Sequence, residues 1–127
     1  MKKLLVAAAL IGVVSFASAQ EKKNVYVKEG NLIKATLFHD NGQISQKGYY
    51  TEEGKLQGEW ISYDKDGVKT AAAKYENGEK TGKWFFWNDD TLKEVDYSQS
   101  QVTSVNTWKM EGERVVSNEE TSFLGTK

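Results

Sequence analysis

The chain has 127 residues, of which none is cysteine and only one is histidine. Without cysteine there are no disulfide bonds, so the burial of apolar side chains must stabilise the fold. A lone histidine without thiolates also excludes an ordinary zinc or copper site. No stretch after residue 20 shows a sustained apolar period of about 3.6 residues, and this absence argues against helices.

Sequence motifs for catalysis are missing as well. A Gly-x-Ser-x-Gly elbow is absent, and the usual general base would have to be His39, which precedes the Asp40-Asn41-Gly42 turn and is expected at the surface. The Asp64-x-Asp66 pair fails the calcium-loop pattern, because Tyr75 occupies the position of the last acidic ligand.

A phosphate loop is excluded by spacing. Gly78 and Gly82 enclose three residues where that loop has four, and Trp84 follows Lys83 where Ser or Thr is required. The sequence therefore predicts no enzyme, no cofactor and no metal site.

The N-terminus has the order of a secretory signal peptide. Two lysines precede an apolar run from Leu4 to Phe16, and Ala17-Ser18-Ala19 supplies an A-x-A cleavage site. The run is shorter than the roughly 20 apolar residues that span a bilayer. We predict a signal peptide at 1–19, a single mature domain at 20–127, a periplasmic or secreted location, and no integral membrane segment after cleavage.

Charge is nearly balanced over the predicted mature domain. Without the two N-terminal lysines, 15 basic residues stand against 18 acidic ones. A mildly acidic exported domain is poorly suited to nucleic acid or to anionic membranes, so we expect a protein partner. The 15 aromatic residues, four of them Trp, are the expected source of apolar burial.

Glycines preceded by Asn, Asp or Glu punctuate the middle of the chain. They are Asn41-Gly42, Glu53-Gly54, Asp66-Gly67 and Asn77-Gly78. Asn-Gly and Asp-Gly favour turns in which both residues have positive φ, so we predict tight hairpin turns there. The runs between them predict antiparallel strands of about five to seven residues. A further hairpin is predicted from Asn24–Lys28 and Leu32–Phe38.

The same marks recur at a shift of 24 residues, at which Gly58-Glu59-Trp60 aligns with Gly82-Lys83-Trp84. The full set is Gly42, Gly54, Gly58, Trp60, Gly67, Tyr75, Gly78, Gly82 and Trp84. We predict repeats at about 38–62, 63–86 and 87–108, followed by a weakly patterned tail at 109–127. The third copy lacks both turn glycines and is interpreted as a degenerate cap.

One hairpin per repeat predicts an all-β fold in which stacked hairpins form an elongated antiparallel sheet. Alternate residues of a strand face opposite sides, so Trp84 and Phe86 should point one way and Phe85 and Trp87 the other. Both faces then carry aromatic rings. The sheet either folds over on itself or covers its second face with long Lys and Glu side chains.

The segment from about Phe38 to Tyr97 resembles the MORN-repeat variant of bacterial proteins labelled YwqK-type antitoxins. The matching motifs are Phe38–Ile44, Tyr75–Gly78 and the two Gly-x-Trp steps. The resemblance implies stacked β-hairpins, no cofactor, no catalytic residue and a role in binding or scaffolding. The third copy and the signal peptide depart from the usual pattern, and export conflicts with neutralisation of a cytoplasmic toxin.

The aromatic rings are the remaining candidates for function. We expect Trp60 and Trp84 to be buried, since each follows a glycine step at which backbones can approach closely. Tyr63 and Trp87 should lie on the opposite face as a candidate binding surface, because exposed rings anchor proteins or stack on sugars. The simpler alternative is that these four rings, together with Tyr75, only form the core.

The leading hypothesis is an exported, non-catalytic protein-binding or scaffold module. The alternatives are a periplasmic antitoxin or immunity-type inhibitor, a carbohydrate-binding surface and an unrecognised hydrolase.

Overall fold

The computed structural model describes residues 22–112 and 114–122, and every regular element in this part of the chain is a strand. The strands are β1 Val25–Glu29, β2 Leu32–Phe38, β3 Ile44–Thr51, β4 Leu56–Tyr63, β5 Lys69–Glu76, β6 Glu79–Lys80, β7 Gly82–Asn88, β8 Thr91–Ser98, β9 Gln101–Glu111 and β10 Arg114–Ser122. The predicted signal peptide at 1–19 and its cleavage site lie outside the described residues.

All ten strands belong to one antiparallel sheet in which neighbours in sequence are neighbours in space. Its order is β1-β2-β3-β4-β5-β7-β8-β9-β10, and the two-residue β6 pairs with β5. The all-β class and the open sheet of successive hairpins are therefore confirmed. Contacts between elements run chiefly between adjacent strands, so the sheet is one layer that does not fold over on itself.

Strand lengths depart from the predicted five to seven residues. Strands β3, β4, β5 and β8 have 8 residues each, and β9 has 11. Register shifts interrupt the ladders of β3 with β4 and of β4 with β5, and such bulges absorb an extra residue without ending the pairing. The weakly patterned tail also contributes a strand, since β10 pairs with β9.

Hairpin turns are of two kinds, and the sequence predicted only one of them. In the turns at 39–43, 51–55 and 64–68, the first residue donates its N–H to the carbonyl of the fifth, at 2.8, 2.7 and 2.8 Å. Only the glycine has positive φ there, because a three-residue loop needs one left-handed residue. The prediction of two positive φ values is wrong at Asn41-Gly42 and Asp66-Gly67. It holds at Asn77-Gly78, at 50° and 86°.

The β7–β8 and β8–β9 hairpins make their turns without glycine. Asp89 has a φ of 38°, and Gln99 and Ser100 have φ values of 49° and 64°. Aspartate adopts positive φ more readily than most residues, whereas Gln and Ser have no such preference. The glycine signal is therefore missing from the third predicted copy although its hairpins form.

One side of the sheet, here called the aromatic face, carries Tyr26, Tyr50, Trp60, Tyr75, Trp84 and Tyr97. Ring centroids are 4.9 Å apart for Tyr50 and Trp60 and 5.0 Å for Tyr75 and Trp84. Each Trp Nε1 donates a 2.9 Å bond to the carbonyl that precedes its tyrosine partner. Burial, and then the neighbouring phenols of Tyr26 and Tyr97, raise the pKa of Tyr50 and Tyr75.

Gly48 lies beneath the Trp60 ring. A Cβ at this position would come within 2.2 Å of the indole, so only glycine allows the ring to lie flat on the neighbouring strand. The buried apolar residues are few, namely Ala35, Trp60, Ile61, Trp84 and Val95. A single layer of strands cannot enclose more.

The opposite side, here called the charged face, carries Lys47, Tyr63, Lys69, Lys83, Phe85, Trp87, Glu94 and Asp96. Lys47 Nζ lies 5.6 Å from the Tyr63 ring centroid, and Lys69 Nζ lies 5.7 Å from that of Trp87. Lysine side chains thus cover part of this face, which is the second of the two arrangements expected from the sequence.

Candidate binding surface

Trp87 is the exposed ring of the four that the sequence singled out. It is 37% exposed, whereas Trp60 and Trp84 are 5% and 7% exposed. Trp87 lies near the end of β7, and alternation along the strand stacks it with Phe85 at 6.1 Å and an interplanar angle of 26°. Phe85 therefore holds the ring on one side, while more than a third of its surface, 37%, stays exposed.

A depression of about 730 Å³ lies beside Trp87. Its lining residues are Asp64, Val68, Lys69, Thr70, Trp87, Asn88 and Asp89. They come from the turn between β4 and β5 and from the β7–β8 hairpin. Because β5 and β7 are paired, the ends of these two hairpins lie side by side.

The turn that forms one wall of the depression is fixed by its own aspartate. Asp64 Oδ1 accepts hydrogen bonds of 2.9 Å from the N–H groups of Asp66 and Val68. This is the Asx-type bonding by which aspartate stabilises a turn. The pair that resembled part of a calcium loop therefore has a structural role, and it leaves the Val68 side chain exposed beside the depression.

The depression combines an apolar ring with charges of both signs. Lys69 covers part of the Trp87 face, and the Asp89 carboxylate lies at the rim. Trp and exposed apolar residues supply most of the binding energy at protein interfaces, while the surrounding charges select partners. The surface therefore suits a partner that offers an apolar side chain flanked by polar groups.

Tyr63 lies on the same face, but it does not line the depression. Its ring is half-buried beneath Lys47, and its carbonyl accepts a 2.8 Å bond from His39 Nε2. The two residues of the predicted binding surface thus occupy different surroundings. Through this hydrogen bond, His39 connects the first three-residue turn to β4.

The charged face also holds a polar cluster that sequence reasoning missed. Lys83 Nζ lies 2.6 Å from Glu94 Oε1 and 3.2 Å from Asp96 Oδ1, and Ser104 Oγ donates a 2.6 Å bond to Asp96. The Ser104 bond, followed by Lys83, lowers the pKa of Asp96. The hydrogen bonds to Glu94 and then Asp96 raise the pKa of Lys83.

The aromatic face has a smaller slot of about 230 Å³ between its two tryptophans. Trp60 and Trp84 form the walls, and Ser62, Ala71 and Ala73 form the floor. The small side chains between two large rings create the gap. Both indole N–H groups are already bonded to backbone carbonyls, so the slot presents mainly apolar surface.

Within 22–112 and 114–122, no group of three or more His, Asp or Glu side chains is placed to hold a metal ion. Nor does any helix of that part of the chain have the length and apolar character needed to cross a membrane.

Comparison with known proteins gave no match: no family model, no curated protein and no solved structure is significantly similar to the chain.

The residues around Trp87 could not have been found from sequence alone. Lys69 carries no motif, and it comes near Trp87 only because the short β6 and its flanking turns bring β5 and β7 together. The Glu94-x-Asp96 spacing did carry a signal, since residues two apart share a face. Locating Lys83 opposite them required the β7–β8 register, which the glycine-free turn at 89–90 concealed.

Proposed function

We propose that the protein is an exported, non-catalytic MORN-like repeat protein that binds a protein partner through the depression beside Trp87. The observation that carries the proposal is the exposed indole of Trp87, stacked on Phe85 and flanked by Lys69 and Asp89. A large aromatic ring that stays 37% exposed on a strand is typical of an interface anchor.

The repeat assignment is supported by the aromatic face. The Tyr50–Trp60 and Tyr75–Trp84 pairs have interplanar angles of 71° and 67° at nearly equal distances. Their indole hydrogen bonds also end on equivalent carbonyls, those of Tyr49 and Lys74. Two copies of one structural unit, one of them with an extra residue, account for both the sequence shift and this geometry.

Export rests on the N-terminal pattern. Intact-mass measurement of the native protein should give a chain that begins at Gln20 and is recovered outside the cytoplasm. Retention of Met1–Ala19 on a cytoplasmic protein would contradict export and would favour a cytoplasmic antitoxin.

Partner binding can be tested with a matched pair of variants. We expect one protein to co-purify in stoichiometric amount with the wild type and to be lost with Trp87→Ala. Val102→Ala is the control, because Val102 is 38% exposed and lies on β9, away from the depression. Retention of the partner by Trp87→Ala, with both variants folded, would contradict this site. A toxin as the captured protein would identify the immunity-type inhibitor as the specific case.

A carbohydrate-binding surface is the second candidate. It is favoured by the polar side chains of Thr70, Asn88 and Asp89 around the same ring, since sugars stack on indoles and hydrogen-bond at their edges. Glycan-array binding that disappears with Trp87→Ala and persists with Val102→Ala would support it over a protein partner. Hydrolysis of a bound glycan by the purified protein would instead contradict a non-catalytic role.

A further inference from the structure

The two outer strands of the sheet differ in how they are protected. Among the described residues β1 pairs only with β2, and β10 pairs only with β9. An outer strand presents unpaired N–H and C=O groups, onto which another strand can add. Proteins block such addition with bulges and with charged side chains.

The β10 edge carries both kinds of protection. Its pairing with β9 shifts register between Val115 and Ser117, and its second half carries the adjacent carboxylates Glu119 and Glu120. A bulge twists the strand out of the plane in which a new strand would pair. Strand addition would also bury the two carboxylates against the added strand, and this cost opposes pairing.

The β1 edge has no bulge, and its charged residues, Lys28 and Glu29, both lie at the end next to the turn. Its five residues pair with β2 in unbroken register. Val25, Tyr26 and Val27 are 47%, 57% and 50% exposed, so uncharged side chains project from both faces of the outer strand. Such an edge is open to strand addition.

The backbone of β1 indicates which groups are free. Gly30 and Asn31 form a two-residue turn closed by Glu29 and Leu32, which bond to each other. Because hydrogen-bonding groups alternate along an antiparallel strand, the N–H and C=O of Tyr26 and Lys28 point away from β2. These are the groups that an added strand would meet.

We propose that β1 pairs antiparallel with β1 of a second copy of this chain, around a two-fold axis centred on Tyr26. In this register Tyr26 faces its counterpart, Val25 faces Val27, and Glu29 faces Lys23. Valine pairs with valine on one face, and two Glu–Lys pairs of opposite charge flank them. Centring the axis on Val27 instead would place Val25 opposite Glu29 and Tyr26 opposite Lys28, with no ion pair.

The two-fold contact also extends the aromatic face. Tyr26 already contacts Tyr50, with ring centroids 6.5 Å apart, so the Tyr26 pair joins the aromatic faces of two copies. The dimer would present two Trp87 depressions on one continuous sheet. Self-association does not depend on the proposed function, since a dimer would form whether or not Trp87 binds a partner.

The absence of cysteine from the chain permits a direct test by disulfide trapping. Tyr26→Cys should form a disulfide-linked dimer under mild oxidation, because the Cα separation of about 5.5 Å in a bonded antiparallel pair lies within the disulfide range. Val25→Cys mixed with Val27→Cys should cross-link with each other, while each alone should not. Val116→Cys on β10 is the control and should form no disulfide-linked dimer.

Sedimentation of the protein without introduced cysteines tests the association itself. The wild type should sediment as a dimer, Glu29→Lys should shift it to monomer through repulsion from Lys23, and Glu29→Lys with Lys23→Glu should restore the dimer. A monomeric wild type, equal cross-linking by Val116→Cys, or failure of the charge swap to restore the dimer would each overturn the proposal. Unchanged circular dichroism of the variants would show that they remain folded.

Discussion

The aromatic face and the charged face bear similar rings in different surroundings. On the aromatic face, Trp60 rests on the bare backbone of Gly48 and is 5% exposed, while Trp84 is 7% exposed. On the charged face, Trp87 stacks on Phe85, lies under the Lys69 side chain, and is 37% exposed. In a single-layer sheet, burial therefore depends on what each ring can lie against within its own face.

The difference follows from residue size on the neighbouring strand. Gly48 lets the Trp60 indole lie across the adjacent strand, and each of the two indoles bonds to a carbonyl of its neighbouring strand. Lysine on the neighbouring strand of the charged face covers Trp87 with a flexible chain that keeps its ammonium in water. We expect the first arrangement to stabilise the fold and the second to leave the ring free for recognition.

The largest expected effect is on the stability supplied by the buried indoles. Trp60→Ala and Trp84→Ala should each lower the free energy of unfolding by about 3 to 5 kcal/mol, since each removes a packed ring and its hydrogen bond. Trp87→Ala should cost less than about 1.5 kcal/mol. Chemical denaturation of the three variants gives the comparison, and equal losses would show that both faces form the core.

A smaller effect on stability should come from Gly48, which lies beneath the Trp60 ring. Gly48→Ala should cost about 1 to 3 kcal/mol, because its Cβ would displace the indole. If the clash is the cause, the same substitution in a Trp60→Leu background should cost markedly less. Denaturation of the two single variants and the double variant measures this coupling. Additive losses would contradict the close approach.

The turn that has two left-handed residues provides a third test. Gly78→Val should destabilise the protein by more than about 1 kcal/mol, because a β-branched residue is strained at a φ of 86°. Asn77→Gly is the matched control and should be nearly neutral, since glycine accepts the φ of 50°. Equal thermal shifts for the two variants would show that this turn does not need its glycine.

The smallest effect concerns the polar cluster of the charged face. The Ser104 bond and Lys83 lower the pKa of Asp96, so this carboxylate stabilises the fold above its unfolded pKa of about 4 and loses that contribution as pH falls through the lower folded value. Asp96→Asn should therefore flatten the loss of stability as pH falls below about 4.

Ser104→Ala is the companion variant for that titration. It removes the hydrogen bond that contributes most to the shift and should flatten the same acid transition in part. Thermal melts over the acid range measure both variants. If the stability of each variant falls with pH as steeply as that of the wild type, the cluster adds no pH-dependent stability.

The sequence by itself determined the all-β class, the succession of antiparallel hairpins and the burial of Trp60 and Trp84. These features depend on local chemistry: glycine at left-handed turn positions, alternation along strands, and the absence of any helical period. The prediction of two positive φ values at Asn41-Gly42 and Asp66-Gly67 was wrong. The length of the loop sets the number of left-handed residues, and the dipeptide does not encode that length.

Only the tertiary structure decided which residues meet across strands. It placed Lys69 and Asp89 beside Trp87, separated Tyr63 from them, and joined Lys83 to Glu94 and Asp96. Each of these contacts depends on register, and a bulge or a glycine-free turn can shift the register without a clear mark in the sequence. The β1 edge likewise exists only because the described sheet stays open instead of closing on itself.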